Sequence, residues 1–290
     1  MNDQAEKLRE MARNHTSMTA NASAQNNNSP EIIRCKSIAV TSGKGGVGKT
    51  NVAISLAVTL ASFRKKVLLM DADLGLANVH ILLGLAPSFN LSHFFDKVCL
   101  LDQVIIRGVY GIDILPGASG FEKLANLDQG RLEFLQHSFH NLEQQYDYMI
   151  IDTGAGIGAN VVRFASKTDL AVLVMSPEPT SLADAYAMVK VLYEHGSQKV
   201  QILVNMAVSD KDGLETFDRL NALVVKFLKK PLELLGILLI NREIPQFVRK
   251  QRLLVMEKVN DSFTLRIAAA ARKLSGTITG RKIGFFRKFW

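Results

Sequence analysis

Residues 43 to 50 read Gly43-Lys44-Gly45-Gly46-Val47-Gly48-Lys49-Thr50, and their types and spacing suit a chain of phosphates. The pattern G-x-x-x-x-G-K-[ST] is that of a phosphate loop. Its glycines let backbone N–H groups close on phosphate oxygens. The helix that follows, entered through Asn51, turns its positive N-terminus on the same anion. Lys49 is then placed to reach the β- and γ-phosphates, and the Thr50 hydroxyl to hold Mg2+. Lys44 is one cation more than this pattern requires. Carboxylates follow at two strand ends: Asp71-x-Asp73 in "LLMDADLGLANVH" and Asp152 in "YMIIDTGAGI". Carboxylates beside a polyphosphate are a common way to hold hydrated Mg2+. Gly154 and Gly156 give the turn after Asp152 freedom to move with a terminal phosphate.

These groups must be positioned by strands and helices, and the hydrophobic pattern supplies them. Strands are expected at "KSIAV", "KVLLMDADL", "GIDILPG", "YDYMIIDTG", "DLAVLVMS", "KVQILVNM" and "LLGILLI". Helices are expected at "TNVAISLAVTLAS", "RLEFLQHSFHNLEQQ", "LADAYAMVKVLYEH" and "GLETFDRLNALVVKFL". Short, continuously apolar strands alternating with helices predict an α/β fold, a mostly parallel twisted sheet covered on both faces. Ligands of such a sheet bind outside the carboxyl ends of its strands, where the loop and both carboxylate motifs fall.

Composition sets the frame. The chain has 290 residues, 48% of them apolar, enough for one large core. Cys35 and Cys99 have no paired spacing and read as buried thiols in a reducing compartment. The first 30 residues lack the apolar core of a signal peptide, and no apolar run is long enough to span a bilayer. A cytoplasmic protein is therefore expected. The net charge is +8, and after Asp261 every charged residue is basic. Such asymmetry points to an anionic partner, membrane or nucleic acid.

Both ends differ from the middle. Residues 1–12 suit a short amphipathic helix, with Ala5, Leu8 and Met11 near one face. Residues 13–31 are dominated by Asn, Ser, Thr and Ala, which bury too little to offset their ordering, and read as a flexible linker. The main domain is expected over 32–275. In residues 276–290, Ile283, Phe286 and Trp290 follow i, i+3, i+7, with Phe285 and Phe289 beside them and four cations flanking. That composition suits an interfacial membrane helix on anionic lipid. Docking of the same aromatics on the chain's own surface remains the alternative. Aromatic residues at the basic terminus make a nucleic-acid partner the weakest expectation.

With Lys44, "KGGVGKT" resembles the deviant Walker A motif of the MinD/ParA class of P-loop ATPases. The resemblance implies a single-domain ATPase that uses ATP and Mg2+. It implies that Lys44 crosses to the nucleotide of a partner subunit, as an arginine finger does. In D-x-D-x-G-x-x-N (Asp71, Asp73, Gly75, Asn78), which resembles switch I, Asp71 would lie near Mg2+. Asp73 would orient the attacking water, and Asn78 would lie near the phosphates at the dimer face. Asp152 would be the Walker B carboxylate, and Asn205, ending "ILVN", would read the base. Lys44, Asp73 and Lys49 are thus the expected catalytic residues. The chain departs from the class at Leu239-Ile240-Asn241, where relatives usually have Pro-Asp.

Within the class, "DQAEKLR" (Asp3, Gln4, Ala5, Leu8, Arg9) resembles the activator helix of the flagellar number regulators, FlhG (also called FleN or YlxH). The "IIDTGAGI" segment and the tail are similar to theirs as well. That resemblance implies stimulation of the GTPase FlhF through the N-terminal helix, contact with flagellar C-ring proteins, an ATP-dependent homodimer, and peripheral membrane association. A slow ATPase, stimulated by partner and membrane, is expected. The alternatives are a MinD-like division-site regulator and a non-enzymatic ATP-dependent scaffold.

Overall fold

The computed structural model describes residues 35–73, 78–117, 137–197, 199–277 and 284–289. The expected helix over 1–12 and linker over 13–31 lie outside the described residues, as do Gly75, Ile283 and Trp290. Residues 33–290 form one compact unit.

Eight strands make one sheet: β1 (Lys36–Ser42), β2 (Val67–Ala72), β3 (Ile106–Val109), β4 (Ile112–Leu115), β5 (Tyr148–Ala155), β6 (Leu170–Met175), β7 (Val200–Ala207) and β8 (Glu233–Leu239). Their order is β3-β4-β2-β5-β1-β6-β7-β8. Every pairing is parallel except β3 with β4. β3 was not among the expected strands. It is four residues long with two exposed positions, too little apolar surface to stand out. It turns back onto β4 through Tyr110 and Gly111, both at positive φ, as tight hairpin turns require.

The central strands are buried on both faces, which explains their continuous apolar runs. Side chains alternate between two sides of the sheet. Ile38 and Val40 of β1 face a core shared with α1 (Lys49–Ser62) and α11 (Ser262–Thr277), whereas Ala39 faces one shared with α7 (Pro179–Glu194) and α8 (Asp210–Leu228). A third cluster joins Leu68 and Met70 of β2 to Phe94 and Phe95 of α3 (Leu91–Phe95), Phe139 of α5 (137–143) and Phe164 of α6 (Ala159–Lys167). Each fully buried Leu, Ile or Phe contributes roughly 1.5–3 kcal/mol. The remaining short helices are α2 (Val79–Leu82), α4 (Leu101–Val104), α9 (Ile244–Arg249), α10 (Leu254–Glu257) and α12 (Phe285–Phe289).

The tail takes up the alternative of docking on the chain's own surface. Phe285 and Phe286 of α12 are each 1% exposed and belong to the third cluster. Phe286 stacks on Phe139 at 4.3 Å between centroids, and Phe285 stacks on Phe164 at 6.3 Å. An aromatic face has the same sequence pattern whether it meets lipid or protein, and here it meets the chain's own third cluster.

The segment 239–241 also finds its role. Asn241 Nδ2 donates to Asp261 Oδ1 at 3.0 Å, and Asn241 Oδ1 accepts from the Glu243 backbone at 2.9 Å. Asp261 Oδ1 also accepts from the Phe263 backbone at 2.8 Å, satisfying an open N–H at the start of α11. Asn241 thus ties the loop after β8 to the entry of α11. Asp261→Ala breaks both links and is expected to lower stability by about 1–2 kcal/mol, read as a lower urea midpoint with unchanged slope. An unchanged midpoint would contradict the clip.

Candidate nucleotide site

The loop between β1 and α1 is held open by backbone conformation and by close neighbours. Gly46 and Gly48 both take φ +81°, a region that side-chain-bearing residues rarely adopt. A Cβ on Gly48 would lie 2.6 Å from Asn205 Nδ2, and one on Gly43 would lie 2.3 Å from the Asp184 carbonyl oxygen. Ser42 Oγ donates to the Lys44 carbonyl at 2.9 Å, closing the turn. Asn205, at the end of β7, donates from Nδ2 to the Val47 carbonyl at 2.8 Å.

Behind the loop lies a buried charge cluster. Lys49 is 8% exposed, and its Nζ lies 2.7 Å from Asp152 Oδ1. Thr50, next along the chain, helps Lys49 to favour the ionised form of the same carboxylate. Asp71 is directly opposite Asp152 across β2 and β5. Asp71 accepts from the backbone N–H groups of Val79 at 3.0 Å and Asp73 at 3.2 Å. Burial pushes Asp71 up to about 6, against those two N–H bonds, and the Asp152 charge adds to the rise. Burial likewise raises Asp152, outweighing Lys49 and Thr50. Two adjacent buried carboxylates sharing one ammonium favour an added cation.

A cavity of about 320 Å3 opens above the loop. Gly45, Gly46, Gly48, Lys49, Thr50, Asn51, Asp73 and Asn78 line it, joined by Ser42, Leu82 and Ala155. The structure therefore brings most of the expected site residues to one place, with Gly43, Val47 and Asn205 supporting the loop from behind. Asp73 sits beside the end of β5: a Cβ on Gly154 would lie 3.6 Å from its Oδ1.

Among the described residues, no three His, Cys, Asp or Glu side chains gather to cage a metal. Mg2+ needs no such cage, because it keeps waters and shares phosphate oxygens with one or two carboxylates. The Thr50 hydroxyl with Asp152 and Asp71 fits that requirement.

Lys44 is outside the cavity lining. Its Nζ lies 2.6 Å from Glu178 Oε2 and 2.9 Å from Thr180 Oγ1, at the start of α7. Sequence reasoning placed a helix at "LADAYAMVKVLYEH" but missed Glu178 and Thr180, just before it, as partners of Lys44. It also missed Asp184 as the wall behind Gly43. No local signal links residues so far apart; they meet because β6 lies beside β1.

A protein-family model described as an AAA domain matches residues 35–202. The antiactivator FleN of Pseudomonas aeruginosa is 39% identical over 82% of this chain and 85% of its own length. The chain belongs to the FlhG/FleN group of the MinD/ParA family of ATPases. Within that group, the flagellum site-determining protein YlxH of Helicobacter pylori is 34% identical over 80% of this chain and 79% of its own. The MinD fold is shared closely. The MinC:MinD complex of Aquifex aeolicus contains a chain that is 26% identical, with TM-score 0.66 over 86% of this chain and 98% of that one. MinD of Pyrococcus horikoshii, solved with Mg-ADP, is 23% identical with TM-score 0.66, covering 84% of this chain and 97% of its own, a likeness of fold.

Lys49→Ala leaves Asp152 buried without its cation, a loss of about 3–5 kcal/mol where a buried pair is broken. Gly48→Ala forces a Cβ against Asn205 at a strained φ and is expected to cost about 1–3 kcal/mol. Both are expected to lose ATP binding in calorimetric titration and to melt earlier. Wild-type affinity in Lys49→Ala would contradict the site.

Proposed function

We propose that this chain is an ATP- and Mg2+-dependent ATPase that dimerises around its nucleotide, associates with the membrane and regulates flagellar number and placement. The observation that carries the reading is the division of labour between two lysines. Lys49 is committed to the buried side of its own phosphate cavity, paired with Asp152. Lys44, beside the same loop, is half-exposed and held on Glu178 and Thr180, outside the cavity lining. A cation so placed is available to the phosphates of a second copy.

In the dimer, Lys44 of each subunit would stabilise charge on the other's transferring phosphoryl group. Mg2+, held through Thr50, Asp152 and Asp71, would neutralise phosphate charge. Asp73, at the cavity wall beside Gly154, would orient the attacking water. Asn78 would face the phosphates near the partner. Asn205 supports the choice of base: its Nδ2 is committed to Val47, which leaves Oδ1 as an acceptor, the complement of adenine's amino group.

The docked tail supports a nucleotide-dependent membrane switch. α12 packs on α6 through Phe285 and Phe164, and α6 starts directly after the Gly154–Gly158 segment that follows Asp152. A shift of that segment with the terminal phosphate would disturb the dock and free Phe285 and Phe286 for anionic lipid, where Ile283, Phe289 and Trp290 would add apolar surface. The protein would then work at the cytoplasmic face of the cell membrane. Partner activation would run through Asp3, Gln4, Ala5, Leu8 and Arg9 onto FlhF, with flagellar C-ring proteins as further partners.

Lys44→Ala is expected to keep ATP affinity within about twofold while losing ATP-dependent dimerisation or hydrolysis, read by sedimentation and phosphate release. Full activity in this variant would refute the trans role. Removal of residues 2–12 is expected to abolish stimulation of FlhF GTP hydrolysis while leaving ATP binding intact. Unchanged stimulation would favour a division-site regulator instead.

A further inference from the structure

The contact that holds the tail contains a buried acid in an unusual state. Glu143, at the end of α5, is 1% exposed. Its Oε1 accepts from the backbone N–H groups of both Phe285 at 2.6 Å and Phe286 at 3.3 Å. Its Oε2 is buried and has no hydrogen-bond partner among the described residues. Nearby, Lys288 of α12 reaches Asp169 Oδ1 at 2.7 Å. The other oxygen of Asp169 accepts from the Ser37 backbone and hydroxyl at 3.0 and 3.1 Å. Among the described residues, the charged or titratable groups that act on Glu143 are Asp169 before β6, Lys288 on α12 and the Cys35 thiol before β1.

Among the described residues, Lys288 is the cation beside Glu143, and it is engaged by Asp169. An ionised Glu143 would therefore add a second buried negative charge beside Asp169, which favours the protonated form. A neutral Glu143 keeps a carbonyl oxygen for the two amides and carries its proton on Oε2. When α12 leaves, Glu143 meets water and ionises freely.

We propose that Glu143 is a proton-sensitive latch on the C-terminal helix: the tail docks with Glu143 protonated, and ionisation of Glu143 favours its release. This rests on the reading of the tail as a releasable membrane segment and assigns that release a regulator. Burial, above all, lifts the Glu143 carboxyl from 4.5 to about 7. The two backbone amides and Lys288 oppose the rise, and Asp169 adds to it. A group raised in the docked state contributes docking stability that is full below its undocked value. That contribution fades as pH climbs toward about 7 and is lost above it.

The Phe285 and Phe286 amides donate to Glu143 in the docked tail, so their hydrogen exchange, with the intrinsic pH dependence divided out, reads tail release directly. The full chain in ADP is to be followed between about pH 5.5 and about pH 8. Exchange should rise with pH and level off above neutrality, with the docking equilibrium changing by at most about tenfold per pH unit. Glu143→Gln keeps the acceptor but cannot ionise, so its tail should stay docked with no pH dependence. Glu143→Ala loses the acceptor and should loosen the tail at every pH. Lys288→Ala should loosen the tail yet keep the pH slope. A flat wild-type profile, or a Glu143→Gln profile that follows wild type, would overturn the latch. Binding to phosphatidylglycerol vesicles is a separate arm: if the Phe285 and Phe286 amides are freed with pH but vesicles are not bound, the membrane reading fails and the latch stands.

Discussion

The buried contact between Lys49 and Asp152 is the constraint on which the rest of the site depends. A buried ammonium and carboxylate are stable only when paired and further hydrogen-bonded. The pair can form because β5 lies beside β1 and because the loop turns sharply enough to bring Lys49 back over the strand end. The turn in turn requires Gly46 and Gly48 at positive φ, and Asn205 braces it through the Val47 carbonyl. Asp71, opposite Asp152, adds a second buried acid that the single lysine does not balance. The apparatus is thus preorganised and short of positive charge, which suits a hydrated divalent cation.

The same sheet order links the chain that follows Asp152 to the C-terminal helix. Gly154, near the end of β5, lies beside Asp73, and a short segment then enters α6. α6 presents Phe164 to Phe285, while α5 presents Phe139 to Phe286 and Glu143 to the tail's backbone. Lys288 returns to Asp169, which holds the start of β1 through Ser37. The tail is therefore tied both to the helix that follows the Gly154–Gly158 segment and to the strand that leads into the glycine-rich loop.

Much of this is written locally in the sequence. The phosphate loop, the strand-end carboxylates Asp71 and Asp152, and Asn205 are legible because strand, turn and chemistry are contiguous. The central strands are legible because burial on both faces leaves unbroken apolar runs. The short edge strand β3 is not, since half of it is exposed and Gly108 interrupts it. Nor are the contacts that depend on strand order. Glu178 and Thr180 meet Lys44 only because β6 lies next to β1. The aromatic residues of the tail are legible as an apolar group, but their receptor is not, since Phe139 and Phe164 come from two helices far apart in the chain.

The central claim is that each nucleotide site is completed by the other subunit. Complementation between two inactive variants tests it most directly, by measuring ATP hydrolysis of Lys44→Ala and Asp73→Ala separately and mixed. The mixed dimer has one site in which an intact Asp73 faces a Lys44 supplied by the partner. The account predicts that the mixture regains hydrolysis, at roughly a quarter of the wild-type rate if subunits pair at random and each site works independently. A mixture that forms dimers but stays as inactive as its components would contradict it.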